Sequence, residues 1–193
     1  MSNIERSGRI LVVSGPSGCG KTTLVKRLLE ADAELVWSVS ATTRQPREGE
    51  VEGRDYHFLS RAQFEQGIQE SGFAEYAESF GELYGTPKAP LNEALTEGKV
   101  IVLDIDVQGA RQIKRSFGEA FRVFVTAPSE EELLRRLENR GTEDAVGRKR
   151  RTERVRQEMA AQHEYDRVIV NDQVDRAFDE LESIVAELKK STG

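Results

Sequence analysis

Residues 15–22 of the chain read Gly-Pro-Ser-Gly-Cys-Gly-Lys-Thr and fit the spacing G-x-x-x-x-G-K-[S/T] at every position. Gly15, Gly18 and Gly20 let the backbone curl until successive N–H groups point at one anion. A helix that starts at Lys21 presents its N-terminus to the same anion. Lys21 adds a point charge for a β/γ-phosphate pair, and the Thr22 hydroxyl is a ligand for Mg²⁺. The chemistry is the cradling of a polyphosphate tail. Cys19, inside the loop, reads as a small side chain tolerated there. Its place near a helix N-terminus is also one that lowers a thiol pKa.

Two further groups suit phosphate chemistry. Asp104 follows the apolar run 100–103, and Asp106 lies two residues on. Acids at the C-terminal end of a buried parallel strand stand where open α/β sheets bind ligands. Residues two apart on a strand face one side. One carboxylate, assigned as Asp104, then organises Mg²⁺ through water while the other reaches a substrate. The segment 38–58 carries Arg44 and Arg47 around Pro46. Proline holds its predecessor extended. Two guanidinium forks there suit one terminal phosphate, and a tyrosine hydroxyl such as that of Tyr56 adds a donor.

These groups need a rigid frame. Apolar runs at 9–14, 100–105, 121–126 and 167–170 read as strands buried on both faces. Helices are expected at 21–30, 107–117, 129–139 and 174–189. The third opens with a capping box of Ser129 and Glu132. Strand–helix alternation gives an α/β fold of three layers, with a parallel sheet between helices. The stretch 36–86 breaks the rhythm with short strand-like pieces around a helix at 61–70, capped by Ser60 and Gln63. It reads as an inserted α+β lobe. Residues 140–150 read as a second, irregular insert.

Composition narrows the function. The 193 residues fit one domain, and the net charge of −6 argues against wholesale nucleic-acid binding, which needs a cationic surface. A lone cysteine excludes an internal disulfide, and two distant histidines, His57 and His163, make a histidine metal centre improbable. No apolar run approaches a membrane span of ~18 residues. The first nine residues lack the apolar stretch of a signal peptide, so a cytoplasmic location without membrane contact is expected.

Taken together, residues 14–24, 38–58, 73–77, 84–86, 103–109, 136–142 and 168–172 resemble the guanylate kinase family of P-loop kinases, over about 9–190. The segment Ser40-Ala-Thr-Thr-Arg-Gln-Pro-Arg-Glu-Gly-Glu50 is more specific than the phosphate loop. The resemblance implies transfer of the γ-phosphoryl of ATP to GMP, and to dGMP, with Mg²⁺. It implies a core (1–35, 87–139 and 152–193), an NMP-binding lobe (36–86) and a lid (140–151). By match to the family motifs, ATP would lie on Gly15, Pro16, Ser17, Gly18, Cys19, Gly20, Lys21, Thr22 and Thr23, with Asn171 near adenine. The GMP phosphate would be held by Arg44, Arg47, Tyr56 and Tyr84. Ser40, Glu75, Gly85, Thr86 and Asp106 would line the guanine. Lys21 and Arg44, with Arg136, Arg140 and Arg151 from the lid side, would serve transfer. Thr86 stands where many members carry serine, which keeps the hydroxyl.

Those roles make physical sense. Guanine offers N1–H and N2–H₂ as adjacent donors, and a carboxylate such as Glu75 offers two acceptors in a fork. Adenine would leave that buried acid unpaired, and such a loss discriminates by up to ~10⁴-fold. The window 135–156 holds nine basic residues against four acids in an otherwise acidic chain, which suits polyphosphate. Gly141 and Gly147 bracket a segment able to hinge. A catalytically dead binding module of the same family should have lost its phosphate loop or lid arginines, whereas this chain retains Lys21, Thr22, Arg44, Arg47 and Glu75. A sugar-phosphate kinase would lack the base-reading set Ser40, Glu75 and Thr86.

Overall fold

The computed structural model describes residues 8–79, 81–138 and 145–190, without the side chains of 138 and 145–151. Its main sheet is parallel and five-stranded. Strands β1 (Arg9–Ser14), β2 (Val36–Trp37), β7 (Val100–Asp104), β8 (Phe121–Thr126) and β9 (Arg167–Val170) lie in the order β2-β7-β1-β8-β9. Alternation along β1 explains the three layers. Leu11 and Val13 face one core with Leu24 and Leu28 of α1 (Lys21–Ala31) and Leu181 of α7 (Val174–Lys190). Ile10 and Val12 face the other, with Leu91 of α3 (Lys88–Thr96) and Ile113 of α4 (Val107–Ser116). Each such side chain contributes ~1.5–3 kcal/mol through burial.

A second, mixed sheet runs β4-β3-β6-β5, from β3 (Ala41–Thr42), β4 (His57–Phe58), β5 (Phe73–Ser79) and β6 (Glu82–Pro87). It packs on α2 (Arg61–Gln69) through Phe64, whose ring stacks on Phe73 at 4.3 Å. The capping box at α2 closes in both directions between Ser60 and Gln63.

The structure differs from expectation in four places. Val36 and Trp37 pair with β7, so the main sheet takes the first residues of the expected insert. Helix α3 went unread because Pro87 and Pro90 look like loop punctuation. Proline at the N-terminal edge of a helix costs little, because those N–H groups have no partner within the helix. At α5 (Glu130–Glu138) Ser129 accepts the Glu132 N–H at 3.1 Å, but the Glu132 carboxylate turns to Arg135 and Arg136, leaving the box half made. Helix α6 (Ala145–Ala160) starts inside the stretch expected to be irregular, because its arginines and lysine are good helix formers whatever their charge. The rest of that stretch, with Arg140 and Gly141, lies outside the described residues.

Candidate functional site

The phosphate loop leaves the C-terminal end of β1, whose neighbours β7 and β8 lead off on opposite sides, the place where an open sheet forms a crevice. Its glycines are used for their conformation. Gly20 caps α1 at φ 94°, and Gly15, at φ 139°, would put a Cβ 2.0 Å from the Val125 carbonyl oxygen. Behind the loop, the buried Asn171 donates from Nδ2 to the Cys19 carbonyl at 2.8 Å. A Cβ on Gly20 would meet the same Nδ2 at 2.4 Å. Asn171 therefore braces the loop from beneath, and its own carbonyl accepts Arg136 Nη2 at 3.2 Å.

Inside the loop, Lys21 Nζ donates to the carbonyls of Gly15 at 2.8 Å and Pro16 at 3.1 Å. Burial alone would lower its pKa, but Asp104, Glu158 and Asp106 raise it above the ordinary lysine value. Lys21 is therefore charged. Cys19 is wholly buried, and burial pushes its thiol up. This corrects the helix-terminus reading of a lowered thiol: desolvation outweighs the nearby lysine. Ser17 and Gly18 line the cleft, Pro16 is buried, and Thr23 points to solvent on α1.

The two acids separate. Asp104 ends β7 and accepts the Thr22 hydroxyl at 2.6 Å, facing the loop. Asp106 is not on the strand. It N-caps α4, accepting Gly109 N–H at 2.9 Å. The expectation of two carboxylates on one strand face fails because the chain turns into a helix after Ile105. Among the described residues no cluster of three or more His, Cys, Asp or Glu could hold a metal by itself.

At the far end, Glu75 on β5 is 4% exposed and accepts the Thr86 hydroxyl at 2.7 Å. Burial, with the negative Asp106 nearby, pushes its carboxyl up to about 7 against the two hydrogen bonds from Thr86. The other Glu75 oxygen lies over Gly109, where a Cβ would stand 2.3 Å from it. Gly109 is thus part of the site. A lone glycine inside a helical pattern was the available signal. Ser40, Tyr84 and Gly85 line the same end, and Thr86 reaches it through Glu75.

Both arginines flank Glu50. Arg47 lines the cleft. Arg44 donates from Nη2 to Glu50 Oε1 at 2.9 Å and lies over the Tyr56 ring at 5.4 Å. The second Glu50 oxygen accepts Arg47 N–H at 2.7 Å, and Arg44 holds the Glu50 carboxyl below its usual range. Tyr56 is pushed up to about 12 by burial and the negative Asp104, so it stays a hydroxyl donor.

Helix α6 closes the cleft. Glu158 accepts the Ser17 N–H and, at 2.8 Å, Arg154 Nε. Arg154 also donates from Nη1 to Ser79 Oγ at 3.0 Å, with Nη2 3.6 Å from Asp106. No sequence motif marks these two. Arg136 sits on α5, held by Glu132, and is not among the residues that line the cleft; the Arg151 side chain is outside the described residues. The resulting cleft of about 730 Å³ runs from the loop to Glu75, which is nucleotide-sized.

A family profile described as guanylate kinase matches residues 7–188. The guanylate kinase of Rubrobacter xylanophilus is 50% identical over 180 residues, covering 93% of this chain and 94% of that one. That of Prochlorococcus marinus (strain MIT 9313) is 45% identical over 185 residues, covering 96% and 98%. The crystal structure of guanylate kinase from Anaplasma phagocytophilum superposes with a TM-score of 0.79 at 33% identity, covering 97% of this chain and 89% of that one.

Proposed function

The chain belongs to the guanylate kinase family, and from that premise we propose how its own residues phosphorylate GMP to GDP with ATP. The carrying observation is one continuous cleft with an amide-lined phosphate loop at one end and a buried carboxylate–hydroxyl pair, Glu75 and Thr86, at the other. ATP lies with its β- and γ-phosphates on Gly15–Thr22, under Lys21. GMP lies with guanine on Glu75 and Asp106 and its phosphate toward Arg47, Tyr84 and Tyr56. Arg44 joins that phosphate by exchanging its hold on Glu50. dGMP fits the same scheme, since none of these contacts needs the 2′-hydroxyl.

An oxygen of the GMP phosphate attacks the γ-phosphorus, and ADP leaves in line. Such transfers need positioning and charge stabilisation more than covalent help. Lys21 neutralises the departing β-phosphate, and the arginines screen the two anions from each other. The family implies Mg²⁺. A hydroxyl and a carboxylate, Thr22 and Asp104, hydrogen-bonded at the loop mouth, are hard oxygen donors that would hold it. When bound, it would supply charge neutralisation across the β- and γ-phosphates. Asp104 would act through water.

We assign the main sheet and its helices as the nucleotide-binding core, the mixed sheet as the GMP lobe and 140–151 as the lid, with Arg140 and Arg151 as its contribution. Arg136 and Asn171 support the loop, and Asn171 keeps its place near the adenine. No described helix is long and apolar enough to cross a membrane.

The test is ADP release with ATP-Mg and each of GMP, AMP, CMP and UMP. Turnover is expected with GMP. Failure there, or near-normal turnover in Lys21→Ala, overturns the scheme. Lys21→Ala should still bind GMP.

A further inference from the structure

Strand β5, which carries Glu75, stands at the edge of its sheet. One side pairs with β6. On the other, the side chain of Gln112 on α4 takes the backbone of Tyr76 at both ends. Gln112 Nε2 donates to the Tyr76 carbonyl at 2.6 Å, and Gln112 Oε1 accepts the Tyr76 N–H at 3.3 Å. A carboxamide used this way replaces the peptide unit of a missing neighbour strand.

Asp106, Gly109 and Gln112 recur every third residue along α4, a spacing that places them in one row on the helix surface. Asp106 caps the helix, Gly109 leaves room for the Glu75 carboxylate, and Gln112 ties the residue next to Glu75. An ionised carboxylate gains hydration by moving outward, so a buried Glu75 on an edge strand needs restraint. We propose that Gln112 is a positioning residue for guanine recognition: it holds β5 against α4 so that the Glu75 carboxylate stays beside Asp106. The inference rests on the reading that Glu75 receives guanine.

Steady-state kinetics of Gln112→Met, which keeps the length and removes both hydrogen bonds, tests it. Two lost hydrogen bonds should raise KM for GMP by about tenfold, with KM for ATP within about twofold. IMP lacks the 2-amino group, so a guanine fork on Glu75 should prefer GMP over IMP, and that preference should shrink. The pH below which GMP binding weakens should move down toward ordinary carboxylate values, as Glu75 regains water. Gln112→Asn, one methylene short, serves if the Met variant fails to fold and should show the same pattern.

An unchanged KM for GMP, or KM values for GMP and ATP that rise together, overturns the proposal. The same assays on Glu75→Gln separate the two readings. If Glu75→Gln leaves the GMP-over-IMP preference intact, guanine recognition by Glu75 is wrong. If it removes that preference while Gln112→Met does nothing, only the role of Gln112 is wrong.

Discussion

The Glu158 carboxylate accepts the backbone N–H of Ser17 at 3.3 Å. An acid of α6 thereby occupies an amide of the loop, and on the proposed scheme the triphosphate would have to displace it. Glu158→Gln removes the negative charge while keeping an acceptor. Apparent affinity for ATP should rise roughly threefold to tenfold, since one rearranged charge contact is worth ~1 kcal/mol. Titration of ATP binding checks this; weaker binding would mean that the acid supports the loop instead of competing for it.

Glu75 sets a pH dependence. Its carboxyl is raised to about 7 by burial, so it is protonated below that pH and, on the proposed scheme, would have one acceptor too few for a guanine fork. KM for GMP should climb as pH falls through about 7, while KM for ATP stays level, and GMP binding in that range should release a proton. Calorimetry in buffers of different ionisation enthalpy reads the proton directly. The sign for folding is opposite to the usual acid. The Glu75 contribution to stability of the nucleotide-free protein is fully present below the unfolded carboxyl value and is lost as pH rises through about 7.

Gly109→Ala places a methyl 2.3 Å from a Glu75 oxygen. Helix propensity favours alanine by ~1 kcal/mol, so thermal stability should hold or rise slightly. KM for GMP should nevertheless increase at least ~10-fold, because a displaced carboxylate loses charge-assisted bonds of ~1.5–3 kcal/mol. Melting temperature and GMP kinetics measured on the same preparation reveal the split. A fall in both would mean that the helix itself is distorted.

Asn171→Asp exchanges a donor for an acceptor opposite the Cys19 carbonyl, now 2.8 Å from Nδ2. Two acceptors facing each other in a buried place cost ~1–3 kcal/mol. The loop should lose its shape before the fold does. KM for ATP should rise on the order of 10-fold with KM for GMP little changed. Equal losses for both nucleotides would argue against a bracing role.

Much of this was legible in the sequence, for physical reasons that differ by residue. The loop Gly15–Thr22 declares itself because phosphate binding demands fixed glycines beside a fixed lysine. Strands β1, β7 and β8 declare themselves because burial on both faces leaves continuous apolar runs. Glu75 needed the family resemblance, since an acid between aromatics looks the same whether solvated or buried. Arg154 and Glu158 stayed hidden because an i,i+4 pair on a charged helix is an ordinary surface feature until the fold turns it over a cleft. Gln112 acts on a backbone, and no side-chain pattern records that. Arg44 and Arg47 were legible from their spacing, but the hold of Glu50 on the Arg44 guanidinium and the Arg47 N–H is visible only in three dimensions.

Cys19 is the sole thiol, sealed under the phosphate loop with its ionisation suppressed. An alkylating reagent can reach it only when that loop lifts. Its rate of modification therefore works as a clock for the phosphate loop: it counts how often the cradle comes apart, and a seated triphosphate should slow the ticking.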